Sequence, residues 1–291
     1  MSSQGRPAVN HPAMDHPPIV LVPYGSFYPQ ALDTYNRIKA AYECEFPGSL
    51  VRLAFTSQLM IKRLNEKEGM VIPSPLAALA QLRDLGYRKA VVQALQIVPG
   101  EEFHQMASLV KGLEGIGSKS GFDRLELGLP LLAGLEDCKK LSSLIPTFLR
   151  RGATNGADRE YLRDPESEAV VLVGHGTGHP ADSLYSLMAS MLRKDHRNVF
   201  LGTLEGFPGI LDVISELKAS GAKRVKLLPF LLVWGGHATN DLAGRGPSSW
   251  KSLLEQNGFE VDVQLQPMGE HEEIVSIFLE HTKSALKRIE K

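Results

Sequence analysis

Two histidines stand where an alternating chain of strands and helices places its chemistry. His175 lies in Val170-Val-Leu-Val-Gly-His-Gly-Thr-Gly-His179, and His237 in Leu228-Pro-Phe-Leu-Leu-Val-Trp-Gly-Gly-His-Ala-Thr-Asn-Asp241. Each follows an apolar, strand-like run that ends in glycine. A strand that stops at a glycine turn delivers the next side chain to the carboxyl edge of a sheet, where α/β folds bind ligands. Glycines on both sides of His175 let the backbone approach a ligand and clear the imidazole of neighbouring side chains. Glu205, in Leu204-Glu-Gly-Phe-Pro208, follows a third strand-like run, Val199–Thr203. In a wound topology that strand ends beside the two histidine loops. Two imidazoles, a carboxylate and open positions suit a borderline divalent ion such as Co2+, Ni2+, Fe2+ or Zn2+. Near neutral pH an imidazole or carboxylate also accepts a proton.

Other histidines carry less. His179 follows His175 by four residues, but Gly176 and Gly178 rule out a regular helix between them, so His179 is expected to support the site rather than to ligate. His11 and His16 fall in a polar, proline-rich tail and are expected to be disordered with it. Gly174-His-Gly-Thr-Gly178 has the outline of a nucleophile elbow with glycine in the nucleophile's place, which speaks against a serine hydrolase.

The elements that must position these residues alternate. Ile19–Val22, Leu50–Phe55, Ala90–Ile97 and Leu125–Leu129 read as strands, followed in the second half by Ala169–Val173, Val199–Thr203, Arg224–Val233 and Val261–Leu265. A helix opens near Pro29. Ser74-Pro75 starts another, with Leu76, Leu79, Leu82 and Leu85 along one face until Gly86. Helices are also expected over Ala181–Leu192, along Ile210, Val213, Ile214 and Leu217 up to Gly221, and from Glu272. Strands separated by helices predict parallel sheets built from right-handed crossovers.

The two halves also match each other. Leu21-Val-Pro-Tyr-Gly-Ser26 corresponds to Leu172-Val-Gly-His-Gly-Thr177, and Leu129-Pro-Leu-Leu-Ala-Gly134 to Gln266-Pro-Met-Gly269. The expectation is two pseudo-symmetric, Rossmann-like α/β domains with a site in the cleft between them: a tail over 1–18, a first domain over 19–150, a linker over 151–168 and a second domain over 169–291.

Composition narrows the partners. The 291 residues are long enough for two cores, and a net charge of −1 gives no electrostatic case for nucleic acid or a membrane surface. Met1 to Pro18 is polar and proline-rich, so no signal peptide is expected, and no apolar run approaches the length needed to span a bilayer. Cys44 and Cys138 belong to no CxxC pattern and are expected to be buried small hydrophobes in a reducing cytoplasm.

The chain resembles the anaerobic cobalt chelatases, class II chelatases that insert Co2+ into sirohydrochlorin on the route to cobalamin. The resemblance runs from about Ile19 to the last helix. It rests on Ala54-Phe-Thr-Ser57 with Ile61-Lys-Arg-Leu64, Pro75-Leu76 leading to Leu85-Gly-Tyr87, Gln93-Ala-Leu95 with Gly100-Glu-Glu-Phe103, and Leu127-Gly-Leu-Pro-Leu-Leu132. It continues through Gly174-His-Gly176, Glu205, and Gly236-His-Ala-Thr-Asn-Asp241 with Ser249-Trp-Lys251. It implies the two-domain chelatase fold, His175, Glu205 and His237 as metal ligands, and His175 as proton acceptor. Metal would be substrate, with no organic cofactor. The tetrapyrrole's carboxylates would meet helix N-termini and Lys and Arg at the cleft rim, with Tyr24, Ser26, His179 and Arg245 as candidate contacts. Iron or nickel loading, or a non-catalytic tetrapyrrole or metal carrier, are the alternative readings, and association with copies of itself stays open. The chain departs from the family at Gly236, where relatives have aspartate, at Arg245-Gly-Pro247, where they have an acidic run, and at Gln96, where some have histidine.

Overall fold

The computed structural model describes residues 16–117, 120–151, 167–233, 235 and 238–291. The first half runs β1 (Ile19–Val22), α1 (Pro29–Glu45), β2 (Val51–Leu53), α2 (Gln58–Glu68), α3 (Pro75–Asp84), β3 (Lys89–Ala94), α4 (Glu101–Gly115), β4 (Arg124–Gly128) and α5 (Leu135–Arg151). The second runs β5 (Glu168–Gly174), α6 (Ser183–Asp195), β6 (Val199–Thr203), α7 (Ile210–Ser220), β7 (Arg224–Pro229), α8 (Trp250–Gln256), β8 (Glu260–Val263) and α9 (Glu272–Ile289). The strands form two four-stranded parallel sheets, ordered β2-β1-β3-β4 and β6-β5-β7-β8. Each order reverses beside its first strand, which opens a crevice at the carboxyl edge of β1 and β3, and again of β5 and β7.

The period-two alternation of the strands divides the core into layers. Ile19, Leu21, Val91, Val170 and Leu172 face a shared interior with Tyr35, Phe55, Phe230 and Phe278. Val20, Val22, Ala90 and Val92 pack outward under Leu79, Leu82 and Phe122. Val171 and Val173 do the same under Val213, Leu217 and Trp250. The helix starts read from sequence are present: Ser74 accepts a hydrogen bond from the Ala77 N–H, and Gly86 follows α3 with φ of 93°. Leu76 differs from expectation, since it points to solvent.

The repeat extends to individual hydrogen bonds. Leu95 N–H donates to Val22 O as Phe230 N–H does to Val173 O, and Ser57 N–H donates to Tyr24 O as Glu205 N–H does to His175 O. Leu131 N–H bonds Gln96 O in the way that Met268 N–H bonds Leu231 O. One element breaks the symmetry. α9 follows the second sheet in sequence but lies on β4 and β3 of the first, while α5 lies against α6.

A buried polar chain fixes α9 there. Thr282 Oγ1 donates to Gln93 Oε1 at 2.7 Å. That orients the Tyr42 hydroxyl to donate to Thr282 at 3.1 Å, and Gln93 Nε2 bonds the carbonyls of Ala94 and Leu129. Thr282→Val keeps the shape but strands one donor and one acceptor away from water. It should destabilise the protein by about 2–3 kcal/mol, measurable by urea unfolding; a loss below about 0.5 kcal/mol would mean that packing alone holds the helix.

Three sequence expectations need correction or limits. Cys44 is exposed at the end of α1 and only Cys138 is buried, its thiol pushed up to about 11 by burial. His16 is placed, with its ring against Gly48. Residues 1–15 of the tail and 152–166 of the linker lie outside the described residues.

Candidate functional site

His175 leaves the end of β5 into a turn that only glycine can make at the next position. Gly176 has φ of +79°, and a Cβ there would lie 2.5 Å from the Gly206 nitrogen. The close approach brings the loop after β5 onto the loop after β6. The backbone bonds Leu204 N–H to Gly174 O and Glu205 N–H to His175 O hold the two together. His175 Nδ1 and Glu205 Oε2 are then 3.7 Å apart. Both side chains are open to solvent, 41% and 59% exposed, so neither is committed to the core.

Proton placement separates the two histidines of this loop. His175 Nδ1 lies 3.1 Å from Gly176 O. A carbonyl only accepts, so the proton sits on Nδ1 and the lone pair on Nε2, the form in which an imidazole ligates a metal. His179 has the opposite arrangement. Its Nδ1 accepts from the Ala181 N–H at 3.1 Å, capping the turn Pro180–Asp182 and leaving the ring proton on Nε2. His179 is therefore built to donate a hydrogen bond. Its ring lies 4.9 Å from that of His104, from the first turn of α4, with the planes tilted by 36°, so the two halves meet at this loop.

Asp182 was not singled out from sequence, yet it clamps the site. Its Oδ1 accepts from Thr177 N–H at 3.0 Å and its Oδ2 from Phe207 N–H at 2.8 Å. One carboxylate thus ties the His175 loop to the Glu205 loop. The only available signal was its place in a proline-initiated turn, which is common to many solvated aspartates. Beneath it Tyr185 lies under Gly174 and hydrogen-bonds the Gly176 backbone, its phenol raised well above the usual range by burial.

The other sequence candidates fall in different places. Tyr24 occupies the repeat position of His175 and is half exposed. Ser57 likewise occupies that of Glu205. The first half therefore has the frame of the site without the histidine and glutamate side chains of the second. Ser26 is buried and its Oγ accepts from the Tyr28 N–H, as Thr177 Oγ1 accepts from His179 N–H; both hydroxyls shape their turns. Arg245 is exposed in the turn whose Gly244 carbonyl accepts from Ser249 Oγ, with no ion pair among the described residues. Gln96 Nε2 bonds Val22 O across the first crevice. His237 lies outside the described residues.

Glu102, in the first turn of α4, was also passed over. Burial, then the neighbouring charge of Glu101, raises its pKa above the usual carboxylate value. Counting on from the matched pair Leu95 and Phe230, it falls opposite His237 in the repeat. Below its unfolded pKa the folded and unfolded forms are both protonated. As pH rises through the folded pKa, the folded state must ionise a desolvated group and stability falls. Glu102→Gln should therefore raise the melting temperature at pH 7, with the gain vanishing near about pH 4. Equal gains at both values would contradict this reading of its environment.

Comparison with known proteins agrees with the fold. Residues 18–287 match the family described as Cobalt chelatase (CbiK). The chain is 35% identical over 280 residues to the sirohydrochlorin cobaltochelatase CbiKC of Nitratidesulfovibrio vulgaris, covering 96% of this chain and 94% of that one. It is 32% identical to the sirohydrochlorin cobaltochelatase of Salmonella typhimurium over 80% of this chain and 82% of that one. The same fold occurs in SirB from Bacillus subtilis, solved with Fe3+, at a TM-score of 0.62 and 16% identity over 94% and 96% of the two chains. With the match running from the residue before β1 almost to the end of α9, the chain belongs to the CbiK cobalt chelatase family.

Proposed function

We propose that this protein inserts Co2+ into sirohydrochlorin, giving cobalt-sirohydrochlorin and two protons, in the cytoplasm. The observation that carries the reading is the similarity to curated sirohydrochlorin cobaltochelatases over nearly the whole chain, with the His175–Glu205 pair at the crevice of the second sheet as the place for the chemistry. Co2+ is substrate here, not a resident cofactor. His175 Nε2 and His237 would bind it as neutral imidazoles, and Glu205 would offset its charge and orient it. The set is incomplete by design, because a closed site would retain the ion. His175 is also the proposed acceptor for a pyrrole proton. His179, with its fixed Nε2–H, and Tyr24 suit contact with the tetrapyrrole's acidic edge, and Arg245 would act only at longer range. Among the described residues no helix is long and apolar enough to cross a membrane.

The test is anaerobic incubation of the purified protein with sirohydrochlorin and Co2+, Fe2+ or Ni2+, followed by absorbance. Turnover fastest with Co2+ supports the reading. Stoichiometric binding without metallated product would make the protein a carrier.

A further inference from the structure

α2 presents Arg63 and Lys67 one turn apart, on the same side of the helix. Both reach the same aromatic ring: Arg63 Cζ is 5.2 Å and Lys67 Nζ 5.0 Å from the centre of Phe27. Phe27 is itself stacked on Tyr28 at 4.6 Å with 23° between the planes, so both cations rest against one aromatic pair. Cation–π contact accounts for their position, but it does not neutralise them. Glu66 on the same helix pairs with Lys62, and among the described residues neither Arg63 nor Lys67 has an ion pair. Two positive charges gathered over one ring repel each other until an anion arrives.

Their place gives the anion a source. Phe27 belongs to the loop leaving β1, two residues past Gly25, on the backbone frame that repeats the His175 loop. α2 starts from Ser57, whose N–H bonds Tyr24 O at that same edge. The start of α4 meets the His175 loop through His104 and His179, so loops of both halves come together beside His175. A flat ligand seated over His175 extends its periphery over the first half. With a net charge of −1 the whole chain does not attract a polyanion, and a local basic rim must.

Resting on the chelatase reading, we propose that Arg63 and Lys67, held over Phe27, are the specificity-determining rim that grips peripheral carboxylates of the tetrapyrrole. Arg offers a planar fork for one carboxylate and Lys a point charge for the same or its neighbour. Phe27 fixes the stems, which reduces the side-chain freedom lost on binding.

The experiment is titration of the full-length protein with metal-free sirohydrochlorin at low and moderate salt, for the wild type, Arg63→Gln/Lys67→Gln and Arg63→Lys. The double variant should bind about tenfold more weakly at low salt and lose part of the salt dependence. Arg63→Lys should retain most of the affinity. Co2+ affinity of the double variant should match the wild type, and its melting temperature should fall by no more than about a few degrees, from the lost contacts with Phe27. Equal tetrapyrrole affinity and salt dependence in wild type and double variant overturn the rim and leave the chelatase reading intact. A wild type that neither binds nor metallates sirohydrochlorin overturns that reading and the rim together.

Discussion

His175→Ala should lower cobalt insertion by at least about a hundredfold while shifting stability by no more than about 0.5 kcal/mol. The side chain is 41% exposed and hydrogen-bonds the neighbouring Gly176 carbonyl, so little packing is lost. What disappears is the nitrogen proposed to bind the ion and to take a proton from the macrocycle. Glu205→Gln is the informative contrast. It keeps the shape, removes the charge, and should leave a rate that recovers as Co2+ is raised. The rate is read as the appearance of cobalt-sirohydrochlorin, and folding by thermal denaturation. A His175→Ala protein that turns over nearly as fast as wild type removes the proposed centre. His237→Ala carries the same expectation.

The second large effect comes from a residue with no side chain. Gly176→Ala puts a methyl group 2.5 Å from the Gly206 nitrogen and 3.0 Å from the Glu205 carbonyl carbon, at a φ of +79°. Neither neighbour is a flexible side-chain tip that can swing away. The left-handed conformation alone costs roughly 1–2 kcal/mol for an alanine, and relief of the clash must separate the His175 and Glu205 loops. The expected result is a loss of about 2–4 kcal/mol in unfolding free energy and a fall in Co2+ affinity of about a hundredfold as the paired ligands part. Gly178→Ala is the control, because nothing lies within 4 Å of its added methyl. If Gly176→Ala binds Co2+ as wild type does, the loop contact does not set the distance between the ligands.

Much of this frame is legible before folding. Ile19–Val22, Val199–Thr203 and the start of α9 at Glu272 fall where the apolar runs and turn residues place them. Arg224–Val233 reads too long because Phe230, Leu231 and Leu232 continue the apolar run. The ladder nevertheless ends at Pro229, which has no N–H to extend it. α2, α4, α5 and α8 went unread although Gly69 ends α2 in the left-handed conformation and Gly100 precedes α4: their faces mix charge with apolar residues, which blurs the helical period. His175 and Glu205 were visible because glycine and a strand end are local signals. Asp182 was not, because its meaning lies in two backbone N–H groups brought together from separate loops. The opposite proton positions of His175 and His179 likewise depend on which backbone group each ring meets.

The placement of α9 on the first sheet has a consequence for synthesis. Ile274, Phe278 and Ala285 fill the shared interior with Tyr35, Tyr42 and Val91, so β3 and β4 have no cover on that face until the last residues of the chain emerge. The amino-terminal half leaves the ribosome with an apolar sheet surface exposed for the whole time that the second half is being made. A chain stopped after α5 should therefore be recovered as aggregate or chaperone-bound material, and adding α9 back as a separate peptide should rescue it more effectively than extending it through β5 and α6.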